Sequence, residues 1–356
     1  MGNIPTDLNL ILLLARQQEA SDVHLCANNP LVFRKQGQLL TVSEEVLSAK
    51  KAEDLIRNAL PLETVKIFDT TGDTEYVHSI PNQGRFRMSL MKQRDGWDLT
   101  VRLIPMRIPS PEEIGLTQHC LNLTKWAQGM VLVTGPAGCG KTTTLSSLVD
   151  VVNGHRADHI ITIESPIEIV YKPNKCQITQ REVGMHTMSQ SNALRAALRE
   201  DPDILVVSEL RDLKTIQLAI SAAETGHLVF GTMNTVNAGQ TISKLIDSFP
   251  ADEQGIMRNM ISESLRGVIC QQLVPKKDGK GMVPAFEVLI VNHSVGSMIR
   301  EGKISQLNNV MTTGKSYGMQ LMDNSLQTLA VNGIIEKSEA LDRAINPAMM
   351  IAMIGK

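Results

Sequence analysis

The sequence predicts an α/β protein of two parts: a smaller α+β domain first, then a larger domain built on a parallel sheet covered by helices on both faces. Three observations carry this. Residues 20–105 alternate short apolar runs with turn signals, as in SDVHLCANNPLVFRKQGQLLTV and YVHSIPNQGRFRMSLMKQRDGWDLTVRLIP, the pattern of a small sheet. Later, MVLVTG, HIITIE, ILVVSEL and HLVFGTM are continuously apolar and each ends in polar residues, as strands buried on both faces do. After the first of these comes VTGPAGCGKTTT, residues 133–144, a glycine-rich turn between a strand and a helix-forming run.

Taken in chain order, the N-terminal run LNLILLLA follows Asp7 rather than a basic stretch and is too short to span a bilayer, so it is read as an amphipathic or buried helix. MGNIPT matches the loose myristoylation pattern, which is common by chance and has no other support here. A helical segment is expected near residues 50–59, between the strands of the first sheet. MRIPSPEEIGL carries two prolines in a polar stretch, suited to a linker and the start of a helix. The expected boundaries are 1–106 for the first domain, 107–118 for the linker and 119–356 for the second domain. From Glu253 onward the pattern reads as mostly helical, including ADEQGIMRNMISESLRGVICQQL and YGMQLMDNSLQTLAVNGII.

With 356 residues and 42% hydrophobic content, the chain has ample material for packed cores, and disorder is excluded. Lys and Arg number 35 against 37 Asp and Glu, for a formal charge of -2. With no long basic run and only 3% aromatic residues, nucleic acid is not an expected partner. The cysteines, Cys26, Cys120, Cys139, Cys176 and Cys270, are scattered and contain no CxxC pair. That argues for a reducing compartment, the cytoplasm, and against a structural zinc. No transmembrane segment is expected.

The glycine-rich turn has P-loop spacing: Gly135, then Pro136, Ala137, Gly138 and Cys139, then Gly140, Lys141 and Thr142, with Thr143 following. Small residues let successive backbone amides turn toward phosphate oxygens, and the following helix offers them its positive end. Lys141 is expected at the β- and γ-phosphates and the Thr142 hydroxyl in the Mg²⁺ shell, which makes ATP and Mg²⁺ the expected cofactors. Cys139, beside Lys141 and a helix N-terminus, is placed where a thiolate is favoured, although a small space-filling role is preferred for it. P-loop enzymes also need acids just beyond buried strands. Glu209 follows the apolar run Ile204–Val207, and Glu164 follows Ile160–Ile163. Asp201 and Asp203 are read as caps or turns before a strand.

These segments together resemble the secretion ATPases, and within them the type IV pilus retraction ATPases of the PilT/PilU-like twitching-motility group. TIESPIE is similar to the family's Asp box, DPDILVVSELRD to its Walker B segment, AAETGHLVFGTMNT to its His box, and SNALRAALREDPD and QREVG to further family runs. The resemblance implies a RecA-like ATPase domain preceded by a PAS-like domain, and a homohexamer on the cytoplasmic side of the inner membrane. It implies a pilus platform protein as partner, and ring deformation that drives pilus disassembly. By motif position Glu164 is the catalytic glutamate, and Glu209 orders Mg²⁺ through water. The family also supplies arginines from its N-terminal domain to the γ-phosphate; the candidates are Arg87 and Arg102, with Arg85 and Arg94 as substitutes.

The chain departs from the family in four places. Ser165 stands where the Asp box has an aspartate, Ser208 where Walker B has a glycine, and Asn234 where the His box has its histidine. Asn donates a neutral hydrogen bond but takes up no proton. His227 keeps the family's TGH, with a structural or interface role expected. The retraction motif AIRNLIRE is here SVGSMIRE from Ser294, keeping only Ile299–Glu301. Three other readings follow: an accessory nucleotide-binding subunit with weak turnover that depends on a second retraction ATPase, a pilus assembly or secretion ATPase, and a DNA-translocating ATPase. The assembly group usually carries paired CxxC zinc ligands absent here, and the last lacks a basic, aromatic-bearing channel.

Overall fold

Asp7 opens the first helix: its carboxylate accepts the Asn9 N–H at 2.8 Å, satisfying a donor that a helix start leaves bare. A computed structural model describes residues 4–355, so the first residues of MGNIPT lie outside the described part. Helix α1 (Leu8–Gln17) buries Leu8, Ile11, Leu12 and Ala15, the spacing of one helical face, as the apolar run predicts.

The N-terminal sheet contains β1 (Asp22–Cys26), β2 (Asn29–Lys35) and β3 (Gln38–Leu47), then β4 (Asp73–Ile80), β5 (Gly84–Gln93) and β6 (Gly96–Leu103). Between the two sets lie α2 (Ala49–Ala59) and α3 (Leu62–Thr71); the first matches the helix expected near 50–59, whereas the second has no counterpart in the sequence pattern. The order is β3-β2-β1-β6-β5-β4, with every neighbour antiparallel. First and last strands thus sit side by side in the middle, the PAS-like arrangement implied by the resemblance. Val23, Phe33, Phe68, Phe86, Met88 and Leu99 fill its core, and Phe68 meets Trp97 edge to face at 4.6 Å.

Beyond it, α4 (Gln118–Asn122) begins only after the proline-bearing stretch, so MRIPSPEEIGL itself contains turns rather than a helix start. The second sheet then alternates with helices: β7 (Gly129–Thr134), α5 (Lys141–His155), β8 (His159–Glu164), β9 (Gln177–Glu182), α6 (Gln190–Ala197), β10 (Ile204–Val207), α7 (Leu213–Glu224) and β11 (Leu228–Met233). Helices α8 (Ala238–Asp247) and α9 (Gln254–Ser264) follow.

The mostly helical reading after Glu253 holds except in the second half of ADEQGIMRNMISESLRGVICQQL and in the strand that follows it. ISESLRGVICQQLVP leaves the helix at Ser264 and becomes β12 (Leu265–Pro275), parallel to β7, and β13 (Met282–Ile290) returns antiparallel beside it. A continuous apolar run is compatible with either state, and the sheet wins because β7 offers it an open edge. Gly267 reflects the close packing: a Cβ there would meet the Leu123 side chain at 2.8 Å. The final order is β13-β12-β7-β11-β10-β8-β9, the RecA-like sheet of the predicted fold class. Successive strand residues feed opposite faces. Leu132, Ile163, Leu205 and Val229 join Ile216 and Ile242 in one core, while Val131, Val133, Val206 and Phe230 join Leu145, Leu148 and Val149 in another.

The chain ends in α10 (His293–Arg300), which contains most of SVGSMIRE, α11 (Leu307–Thr313), α12 (Met322–Val331), α13 (Lys337–Arg343) and α14 (Pro347–Ile354). Met322, Leu326 and Met350 form a smaller core against Val274 and Ala285. One compact unit runs to Arg107 and also takes in Pro166–Ile169; Ile108–Ser165 and the chain from Val170 onward form the other. Among the described residues no helix is long and apolar enough to cross a membrane.

Candidate functional site

Strand β7 ends at Thr134 and the chain turns sharply at Gly135, whose φ is 148°. A Cβ there would stand 2.2 Å from the Gln271 carbonyl oxygen and 2.5 Å from Cys139 Sγ, so no larger residue fits. Gly138 and Gly140 also hold positive φ, at 76° and 91°. Gly140 caps α5 without any side-chain hydrogen bond, which leaves first-turn N–H groups for an anion. Pro136, Ala137 and Gly138 are exposed around this turn, and Thr142 is exposed just inside the helix, with Thr143 half-buried. Lys141 Nζ folds back on the loop, donating to the Gly135 and Pro136 carbonyls at 2.8 and 2.9 Å. Burial chiefly lowers its pKa, and the charges of Cys139 and Glu209 pull the other way. An uncapped helix, a turn made of positive-φ glycines and one lysine form a donor set that fits phosphate.

For Cys139 the structure favours the preferred space-filling role over a thiolate. Its side chain is 4% exposed, and burial raises the thiol pKa despite the charge of Lys141. The thiol packs under Gly135, as a space filler does.

Two acids stand at or just past the carboxyl ends of β8 and β10, neighbouring strands on the β11 side of β7. Glu164, the last residue of β8, is buried; Thr162 Oγ1 and Gln180 Nε2 both donate to its Oε1, at 2.6 and 2.9 Å. Glu209, two residues past β10, accepts from Asn234 Nδ2 at 2.5 Å and pairs with Arg211 at 2.6 Å. Asn234 itself directly follows β11. Phosphate loop, acids and Asn234 therefore gather at one edge of one sheet, where α/β folds place ligands. Among the substitutions, Ser165 is exposed, whereas Ser208 is integrated: its N–H donates to Ile163 O at 2.9 Å and its hydroxyl accepts from Gln190 at 3.3 Å.

The arginine candidates belong to the first unit. Arg87 and Arg102 stand directly opposite each other on β5 and β6. Arg87 binds Glu75 at 2.5 Å and Glu168 at 2.7 Å, and Arg102 binds Asp22 at 3.0 Å. Burial works against ionising Glu75, but the hydrogen bond and charge of Arg87 outweigh it and hold the carboxyl below its usual range. Arg85 donates to Ile167 O at 2.6 Å, and Arg94 pairs with Asp95 in an exposed turn. His227 sits just before β11 with its ring 3.1 Å from Ala222 O, while Asp203 accepts the His159 N–H at 2.8 Å and Asp201 takes a φ of 51°.

Sequence reasoning missed Gln180 and Arg211, which hold the two acids, and Gln271, which touches the loop from β12. VICQQL carried the signal, since it too is an apolar run ending in polar residues.

The comparisons agree with this architecture. A family model described as type II/IV secretion system protein matches residues 1–339. A type IV pilus retraction ATPase PilT from Pseudomonas aeruginosa is 41% identical over 341 residues, covering 96% of this chain and 99% of its own. A twitching motility protein from Neisseria gonorrhoeae is 40% identical over 343 residues, covering 96% and 91%. A crystal structure of the pilus retraction motor PilT with bound ADP superposes with a TM-score of 0.86 at 38% identity, covering 96% of this chain and 98% of that one. With its fold, its phosphate loop and a family match over most of its length, the chain belongs to the type II/IV secretion system protein family of ATPases.

Proposed function

We propose that this chain is a Mg²⁺-dependent ATPase that works as a homohexamer and powers type IV pilus retraction, the twitching-motility function of the relatives it is similar to. The observation that carries the reading is the assembly of Gly135–Thr143, Glu164 and Glu209 at one edge of one sheet. The N–H groups of the loop and Lys141 bind the phosphates, and the Thr142 hydroxyl and Glu209 are the groups that would hold the metal. Bound Mg²⁺ neutralises charge on the phosphate oxygens. Glu164, held by Thr162 and Gln180, orients the attacking water and takes its proton. Asn234 fixes the Glu209 carboxylate. Arg87 and Arg102 are the candidates to reach the γ-phosphate from a neighbouring protomer, an effect worth about 10³–10⁵ in rate in other phosphoryl-transfer systems.

In this reading residues 1–106 form the N-terminal domain, 107–118 the linker and 119–356 the motor domain. The hexamer works in the cytoplasm, peripheral to the inner membrane, against a pilus platform protein. The test is complementation: in a piliated strain lacking this gene, the wild-type chain restores pilus retraction and Lys141→Ala does not. Restoration by Lys141→Ala would contradict the motor reading. A second reading, an accessory subunit that needs another retraction ATPase, is favoured by Asn234 and by the altered SVGSMIRE helix.

A further inference from the structure

Strand β12 presses one buried amide against the phosphate loop. Gln271 is 4% exposed, and both ends of its side chain are engaged: Nε2 donates to the Cys139 carbonyl at 2.5 Å, and Oε1 accepts from Thr144 Oγ1 at 2.6 Å. A carbonyl can only accept, so the nitrogen must face Cys139, and the oxygen then meets a hydroxyl that donates. Thr144 is itself 1% exposed. The same residue shapes two glycine positions: its main-chain oxygen would lie 2.2 Å from a Cβ on Gly135, and its Nε2 2.8 Å from a Cβ on Gly140. Cys270 is level with Thr134 in the parallel register, which places Gln271 one step further, beside the loop.

Two geometric consequences follow. In a trans peptide the C=O and the next N–H point in opposite directions. Pinning the Cys139 carbonyl toward β12 therefore turns the Gly140 N–H away from the strand, to the open side of the loop. Residues two apart on a helix differ by about 200° around its axis, so holding Thr144 inward turns Thr142 outward. The burial follows suit, with Thr144 buried and Thr142 exposed.

We infer that Gln271 is a positioning residue of the phosphate site, which sets the direction of the Gly140 amide and of the Thr142 hydroxyl without touching the nucleotide. This rests on the proposed nucleotide reading of the loop. The test is the dissociation constant of ADP, measured with a fluorescent analogue on full-length wild type, Lys141→Ala, Gln271→Ala, Gln271→Glu, Thr144→Val and Thr144→Ser, with melting temperatures on the same samples. Gln271→Ala is expected to weaken ADP about tenfold, the scale of a lost pair of buried hydrogen bonds. Gln271→Glu, whose ionised carboxylate accepts only and cannot donate to Cys139, is expected to bind no better than Gln271→Ala at a pH where it is ionised. Thr144→Val weakens binding by a smaller factor, Thr144→Ser recovers most of it, and the double variant Gln271→Ala/Thr144→Val is no weaker than Gln271→Ala alone.

A part in core packing alone would lower the melting temperature and leave the affinity of the folded protein within about twofold, and that result overturns the inference. Should Gln271→Ala fail to fold, the Thr144→Val and Thr144→Ser pair decides, and equal affinity in both overturns it. Wild type that binds no ADP would overturn the nucleotide reading and this one with it. Wild type that binds while Lys141→Ala does not, beside unchanged Gln271 and Thr144 variants, would overturn this inference alone.

Discussion

The Asn234 side-chain amide donates to Glu209 at 2.5 Å, in the segment that resembles a His box and at the place of that box's histidine. The carboxylate is thus held from two sides, by a neutral amide and by Arg211. Asn234 brings no proton of its own to the reaction, so its contribution is independent of pH near neutrality.

A pH profile of turnover tests this. The wild type is expected to show no inflection from this position, whereas Asn234→His adds a group titrating near 6.5, shifted upward by the Glu209 carboxylate. Asn234→Ala, which frees one side of Glu209, should cut turnover about tenfold while leaving the shape of the profile unchanged.

Lys141→Ala should abolish measurable nucleotide binding while the melting temperature of the nucleotide-free protein stays within a few degrees. The lysine's hydrogen bonds go to loop carbonyls rather than into a core. Equilibrium titration with labelled ATP checks this; retained affinity would remove Lys141 from the phosphate site.

Like charges directly opposite on neighbouring strands repel, and Arg87 and Arg102 are tolerated because Glu75, Glu168 and Asp22 neutralise them. The Arg102 side chain is 55% exposed, against 30% for Arg87, which Glu75 and Glu168 hold between them. Arg102 is therefore the more available to another protomer, and Arg102→Ala should reduce turnover more than Arg87→Ala. Mixing Arg102→Ala with Glu164→Gln in exchanging rings should recover part of the activity, because some interfaces then carry both wild-type groups. Activity no higher than the average of the parents would argue against sharing.

Burial raises the thiol pKa of Cys139, Cys120 and Cys270. Each is then less ionised when folded than when unfolded, so its contribution to stability is full below the ordinary thiol value and is lost as pH rises above it. Melting temperatures should fall as pH rises above about 8.5, less steeply in Cys270→Ala. Labelling of Cys139 should be slow at pH 7, accelerate with pH, and be slowed by bound ATP; equal rates with and without nucleotide would separate Cys139 from the site.

Much of this is legible in the sequence because its signals are local. The phosphate loop announces itself by glycine spacing, and Glu164 and Glu209 by their places after apolar runs. Helix α3 is hidden because LETVKIFDTT buries only Phe68, too weak a stripe for periodicity to catch. Strand β12 is hidden because VICQQLV is apolar enough for either state, and only the edge of β7 decides between them. Gln271 stands at the polar end of a run read as helix, and Gln180 and Arg211 are invisible as site residues, because their roles exist only in partners that folding brings near. Pro166–Ile169 follows Glu164 in sequence yet groups with the first unit through Arg85 and Arg87, a long-range pairing that no local pattern encodes.

The most direct test of the central claim is Mg²⁺-dependent ATP turnover by the purified wild type beside Glu164→Gln, with particle mass recorded on the same samples. A self-sufficient motor predicts turnover by hexamers that disappears in Glu164→Gln while ATP binding persists. Hexamers that bind ATP tightly without turnover in the wild type would contradict it, and would make the loop a nucleotide-gated assembly switch powered by another ATPase.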